Sequence, residues 1–251
     1  MTLPPLGLLQ REALRKLAMD CGFDLLRDDD AWVEAASTQA PLRAWLGRQG
    51  TAPVCGLSML NVLAELSAER IPAPPDAPAG AMGWLRCPDG PSLDRVLSRA
   101  WALSRALPDE LQHRYEDAVG RVGATEREAT VRQRVGQSLF RDGLMTLWGG
   151  RCAVTGIDVP ALLRASHAKP WAMSNDAERL DVYNGLLLVA HLDAAFDAGL
   201  IAVAADGEIL ASPRLDDGAR ALLGIDGRRV GGLSPGHEVY LAWHRDWVFL
   251  R

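Results

Sequence analysis

The sequence predicts an α+β protein in which a helix-rich first part leads into a compact strand–turn–strand–helix segment. Three stretches carry that prediction. Ser92 to Trp148 shows apolar residues at helical spacing almost without interruption. Arg151 to Gly199 changes character, with short apolar runs set between turn signals and a helical run at its end. Leu200 to Ser212 then gives two apolar runs joined across Ala205-Asp206-Gly207, the pattern of a β-hairpin.

In chain order, residues 6 to 20 place Leu8, Leu9, Ala13, Leu14, Leu17 and Ala18 on an amphipathic helix stopped by Cys21-Gly22. Asp28 to Asp30 read as a solvated acidic loop. Trp32 and Trp45 flank short helical or extended pieces, and Leu57 to Leu66 reads as another helix. Trp32, Trp45 and Trp84 are core residues by default, with stacking on a flipped base as the alternative. Ile71 to Gly83, with its four prolines, reads as a linker. These features give an α-rich module over residues 1–90, followed by residues 91–251 as a helical lead-in and a second domain with its core at 150–212.

The lead-in breaks at Pro108, resumes at once as a second helix from Asp109 to Val119, and continues in a third helix expected to begin at Thr125, where Thr125 and Glu128 have capping-box spacing. Arg127, Arg134 and Arg141 recur every seven residues and share one face of that helix, either as a phosphate-contacting stripe or as a solvated face. Beyond the hairpin, a short helix over 216–223 and a closing helix introduced by Ser234-Pro235 complete the pattern, with Trp243 and Trp247 expected to pack inward. His237 and His244 read as surface or structural residues.

Composition limits the function classes. An apolar fraction of 48% and a charged fraction of 24% are ordinary for a globular chain. No apolar run spans a bilayer and the start lacks a basic leader, so a cytoplasmic protein without a membrane partner is expected. A net charge of −5 argues against holding nucleic acid by bulk charge alone. Of 27 cationic residues 25 are arginine, a skew that a GC-rich genome also produces. The four cysteines form no CxxC pair, which disfavours structural zinc.

The segment from Arg151 to Gly199 concentrates the chemistry. Ser166-His167-Ala168-Lys169-Pro170-Trp171 ends a strand, because Pro170 excludes helix at Lys169. Tyr183-Asn184-Gly185 signals a turn, Leu186 to Leu188 a short strand, and Ala190 to Ala198 a helix carrying His191, Asp193 and Asp197. A strand-end histidine thus faces a helix with carboxylates, across a turn asparagine. That is a base-plus-metal layout.

These motifs resemble the HNH endonuclease (ββα-metal) family. Where zinc-containing members have a CxxC knuckle, this chain has Cys152-Ala153-Val154-Thr155. Where they have LCxxCH after the asparagine, it has Leu188 to Asp193, with apolar residues for both cysteines and Asp193 for the histidine. The chain is similar to the zinc-free branch, of pattern SHxKPW, NGLLL and LDxxFDxG, through Ser166, His167, Lys169, Pro170, Trp171, Asn184 to Leu188, Leu192, Asp193, Phe196, Asp197 and Gly199.

The resemblance implies a metal-dependent DNA endonuclease on a ββα-metal core, using one Mg²⁺ or Mn²⁺ ion, in restriction or defence against foreign DNA. The alternative is a catalytically silent DNA- or partner-binding protein on the same scaffold. Phosphodiester hydrolysis needs an activated water and stabilised charge at phosphorus. It implies His167 as general base, Asp193 as the main metal ligand with His191 beside it, and Asn184 either orienting the site or binding metal. His191 and Asp193 point about 200° apart on a helix, whereas Asp193 and Asp197 share a face. Asp197 is left between a site role and closing its helix. Arg134, Arg141, Arg164 and Lys169 are the candidate phosphate contacts, and a homodimer would supply the second site for cutting both strands.

Overall fold

The computed structural model describes residues 3–120 and 126–251, with side chains at 126–129 outside the description. The expected start at Thr125 and its capping box, and the side chain of Arg127, therefore lie outside the described residues. The chain forms two compact units, Met1–Arg105 and Ala106–Arg251.

The first unit departs from the expected α-rich module. Its centre is an antiparallel sheet of six strands among the described residues, β1 (Leu25–Asp28), β2 (Val33–Ala36), β3 (Arg43–Gln49), β4 (Ala52–Leu57), β5 (Glu69–Ile71) and β6 (Gly83–Arg86), in the order β1-β2-β3-β4-β6-β5. Helices α1 (Leu8–Asp20), α2 (Leu60–Ala64) and α3 (Gly90–Ser104) accompany it. The β3–β4 hairpin closes with Gln49 opposite Ala52 and Gly50 at φ +64°, the conformation a two-residue hairpin loop needs at its first position.

Pairing sets Trp45 opposite Gly56 and Gly56 opposite Trp84, while Leu46, Cys55 and Leu85 line the other face. Both faces are buried, which is why β3 and β4 lack the polar–apolar alternation of a half-exposed strand. Trp32, Trp45 and Trp84 are 2–4% exposed and form one cluster with Val54, so they are core residues and offer no stacking platform. The stretch expected to be a linker covers this cluster. Ala77 and Ala81 pack on it, and the Asp76 carbonyl accepts from Trp32 Nε1 at 3.2 Å. Helix α3, grouped in sequence with the second domain, packs against β4 and α1.

The second unit starts with an antiparallel helix pair, α4 (Pro108–Val119) and α5 (Glu126–Leu147). Next come β7 (Leu163–His167), α6 (Asp176–Leu180), β8 (Gly185–Val189) and α7 (Ala190–Asp197). Finally there are the hairpin β9 (Ile201–Val203)–β10 (Ile209–Ala211), α8 (Asp217–Leu223) and α9 (Pro235–Trp247). Strand β7 pairs antiparallel with β8, from Leu163 opposite Val189 to His167 opposite Gly185.

Alternation puts Leu163, Ala165 and His167 on one face of this hairpin and Arg164 and Ser166 on the other. Helix α5 covers the first face through Phe140 on His167, and α7 covers the second through Asp197 on Ser166. All five residues of β8 are buried between them. Among the described residues no helix is long and apolar enough to cross a membrane.

Candidate active site

His167 closes β7 in a half-buried niche. Its ring stacks on Phe140 with centroids 3.7 Å apart and 13° between planes, and meets Trp171 edge-on at 5.6 Å. Its Nε2 lies 3.0 Å from the Arg179 carbonyl. A carbonyl only accepts, so Nε2 carries the proton and Nδ1 keeps its lone pair. Burial, and secondarily the Arg179 charge, push the imidazole below its ordinary pKa, against the opposing effect of the carbonyl. The ring is held as a neutral base.

Gly185 makes the stacking possible. A Cβ there would come within 2.5 Å of Phe140 Cζ, so the glycine of the Asn-Gly pair is a seat for Phe140. The turn expected at Asn184-Gly185 is a 3₁₀ turn over Val182–Asn184, and Gly185 begins the strand in extended conformation.

Asn184 is fully buried and bonded on both sides. Its Oδ1 accepts from Lys169 N at 2.8 Å, and Nδ2 donates to the Glu178 carbonyl at 2.9 Å and the Lys169 carbonyl at 3.2 Å. Of the two roles open to it, this geometry fits orientation of the 168–184 loop, since neither polar atom faces outward to meet a metal. That loop supplies both the Arg179 carbonyl and Trp171 to His167.

The carboxylates gather on the opposite face, so the strand-end histidine stacks on α5 and does not face α7 as the sequence pattern implies; Ser166, the residue before it, does. Ser166 Oγ donates to Asp197 Oδ1 at 3.2 Å and also reaches Asp193, so one hydroxyl sits between two carboxylates four residues apart on α7. Burial raises the pKa of Asp193, against the Ser166 hydrogen bond and the Arg164 charge. Burial and the Asp193 charge raise that of Asp197. Two partly buried carboxylates with a third oxygen between make a hard-oxygen donor set suited to Mg²⁺ or Mn²⁺. Among the described residues there is no group of three His, Cys, Asp or Glu side chains positioned to hold a metal, so the set depends on the hydroxyl and on water or substrate oxygens. His191 is exposed and points away from this face, as helix geometry requires.

The candidate phosphate contacts separate. Lys169 Nζ is clamped by both oxygens of Glu178 at 2.6 Å, so its charge is already neutralised. Arg141 braces the start of β7 through the carbonyls of Leu163 at 2.9 Å and Pro160 at 3.1 Å. Arg134 is exposed, and Arg164 is exposed on the Ser166 face of β7, near Asp193. Beside the expected Asp193 the structure brings Ser166 and Asp197, whose signal in the sequence is the i,i+4 spacing on α7 and the position just before His167.

The turn that stands at the knuckle position is closed by its own hydrogen bonds. Gly156 N donates to the Cys152 carbonyl at 2.9 Å and Thr155 N to Cys152 Sγ at 3.4 Å, while Ala153 N ties the turn to Leu187 of β8. At the far end, Trp247 is 75% exposed, against the inward packing expected, whereas His237 and His244 are buried. No curated protein matches the chain. Residues 152–204, from this turn through α7 to β9, match the profile of the HNH endonuclease family, and that segment of the chain is an HNH domain.

Proposed function

We propose that the protein is a divalent-metal-dependent DNA endonuclease in which His167 is the general base and Asp193, Asp197 and Ser166 hold the metal. The observation that carries this reading is the pairing of successive residues at one strand end. His167 is neutral with Nδ1 unprotonated, and Ser166, immediately before it, joins two carboxylates of α7. His167 takes the proton of the attacking water at Nδ1, and the Arg179 carbonyl steadies the imidazolium that results. Arg164 lies on the carboxylate side of the hairpin, where it meets a phosphate oxygen. Asn184 acts as a positioning residue by fixing the loop that carries the Arg179 carbonyl. A bound Mg²⁺ or Mn²⁺ supplies charge stabilisation at phosphorus and at the leaving oxygen. Restriction of, or defence against, foreign DNA is the biological role that suits such an activity.

The test is plasmid nicking in Mg²⁺, Mn²⁺ or EDTA, on unmodified and base-modified DNA. We expect metal-dependent cutting that drops by at least about a hundredfold in His167→Ala, the scale of a lost general base. Asp193→Asn and Asp197→Asn should each raise the metal concentration needed. Cutting that survives in His167→Ala overturns the mechanism. Binding without cutting under every condition favours a silent DNA-binding scaffold.

A further inference from the structure

A groove of about 510 Å³ runs between α4, α5 and the loop that carries Trp171, the ring that also meets His167 edge-on. Tyr115 and Trp171 give it aromatic walls, and Arg132 and Arg179 give it positive charge. Gly136 of α5 lets the indole lie against the helix, since a Cβ there would stand 2.8 Å from the ring. Asp176 also lines the groove, but its carboxylate is paired with Arg179 Nη1 at 2.8 Å. Arg179 is itself held over Trp171, with its guanidinium 5.2 Å from the ring centroid. Arg132 is half-buried and has no ion-pair or hydrogen-bond partner among the described residues, so two arginines against one aspartate leave the groove with one uncompensated positive charge. Its volume is within the roughly 300–1,000 Å³ of small-ligand sites. Aromatic rings beside an unpaired arginine are the features by which proteins hold unpaired nucleotides, the base on the rings and the phosphate on the cation.

We propose that this groove takes an unstacked nucleotide of the strand running past His167, with its base against Tyr115 and Trp171 and its phosphate on Arg132. The assignment rests on the nuclease reading of His167 and adds what that reading lacks, a nucleotide-sized subsite joined to the base through Trp171. An unpaired base is required, because a base inside a duplex cannot present its face to an aromatic wall. The protein therefore favours single-stranded or locally opened nucleic acid over an intact duplex of the same sequence.

The experiment measures equilibrium binding of a single-stranded oligodeoxynucleotide, and of its duplex, to the full-length His167→Ala protein. Arg132→Ala, Tyr115→Ala, Tyr115→Phe or Arg228→Ala is then added to that background. Arg132→Ala and Tyr115→Ala should each weaken single-strand binding about tenfold, the scale of one base–aromatic stack or one phosphate contact. Tyr115→Phe should keep the affinity, and Arg228→Ala, exposed and outside the groove, should change it less than about twofold. Unchanged affinity in Arg132→Ala and Tyr115→Ala overturns the proposal, as does an equal loss in Arg228→Ala, which would signify bulk attraction. Equal melting temperatures of the variants establish that each is folded. If wild-type protein nicks plasmid while the two groove substitutions leave binding unchanged in the His167→Ala background and cutting unchanged when made in the wild-type protein, the groove assignment falls and the nuclease stands. If nothing is cut but the groove variants lose binding, the nuclease reading falls and the groove stands as a nucleic-acid site.

Discussion

His167 and Asn184 differ in what the fold leaves their polar atoms free to do. The histidine keeps one nitrogen unprotonated, whereas the asparagine has both polar atoms bonded inside the loop. Removing the Asn184 amide would strand the Lys169 N–H and the Glu178 carbonyl in a buried place, at about 1–3 kcal/mol for each unsatisfied group. Asn184→Ala is therefore expected to lower stability by about 2–5 kcal/mol. For a chain of this size that is a fall in Tm of roughly 5–15 °C, readable by calorimetry or circular dichroism. Activity should fall with it even well below Tm, because the Arg179 carbonyl loses its fixed place. Asn184→Ala with wild-type Tm would mean that the loop is held by other contacts, chiefly the Lys169–Glu178 pair. At this scale the sequence was informative where a side chain is the only one of its kind in a motif, as His167 is. It was less informative for Lys169, Arg141 and Ser166, whose roles depend on which partner the fold brings to them.

Between elements, the site depends on how closely backbones approach. Gly199 ends α7 at φ +68°, and a Cβ there would lie 2.1 Å from the Val248 carbonyl oxygen, while Leu250 N donates to the Gly199 carbonyl at 2.9 Å. The C-terminal segment is thus laid directly against the end of the helix that carries Asp193 and Asp197. Gly199→Ala combines a left-handed backbone with a clash against main chain, and should destabilise by about 2–4 kcal/mol, seen as a lower denaturant midpoint. Gly199→Asn separates the two causes, because asparagine tolerates left-handed φ but still carries the Cβ. It should recover little of the loss, and full recovery would mean that only the backbone conformation matters. The glycine was visible in the family pattern, but its contact with Val248 joins residues far apart in the chain and leaves no local signal. The strands of the first unit were hidden for a related reason. In β3 and β4 both faces are buried and glycines interrupt the apolar runs, so neither alternation nor an unbroken apolar stretch marks them. Ile71 to Gly83 looked like a linker because prolines dominate it, yet its alanines are what cover the tryptophans.

Across the whole molecule, stability should depend on pH through imidazoles kept neutral by burial. His244 of α9 is 1% exposed, stacks on Phe196 at 3.8 Å, and places Nε2 3.0 Å from the Phe196 carbonyl. Its Nδ1 is buried with no hydrogen-bond partner among the described residues. Protonating it would bury an unpaired N–H and a full charge, so burial, helped by the Arg245 charge, pushes its pKa down to about 4. In the unfolded chain the same imidazole titrates near about 6.5. Between those values the unfolded state binds the proton and the folded state does not. This contribution is therefore fully present above about pH 6.5 and is lost as pH falls toward 4, with a ceiling on the order of 3 kcal/mol. His167, also held below its ordinary pKa by burial, acts in the same direction, whereas the raised carboxylates of Asp193 and Asp197 act in the opposite one. A wild-type pH profile alone therefore mixes signs, and the informative quantity is the difference between wild type and His244→Gln. Glutamine keeps a donor for the Phe196 carbonyl but has no proton to gain, so its urea midpoint should drop less than that of wild type between about pH 7 and pH 4.5. Parallel profiles for the two proteins would mean that His244 is protonated in the folded state without penalty, and that the contact between α9 and the end of α7 opens to let water in.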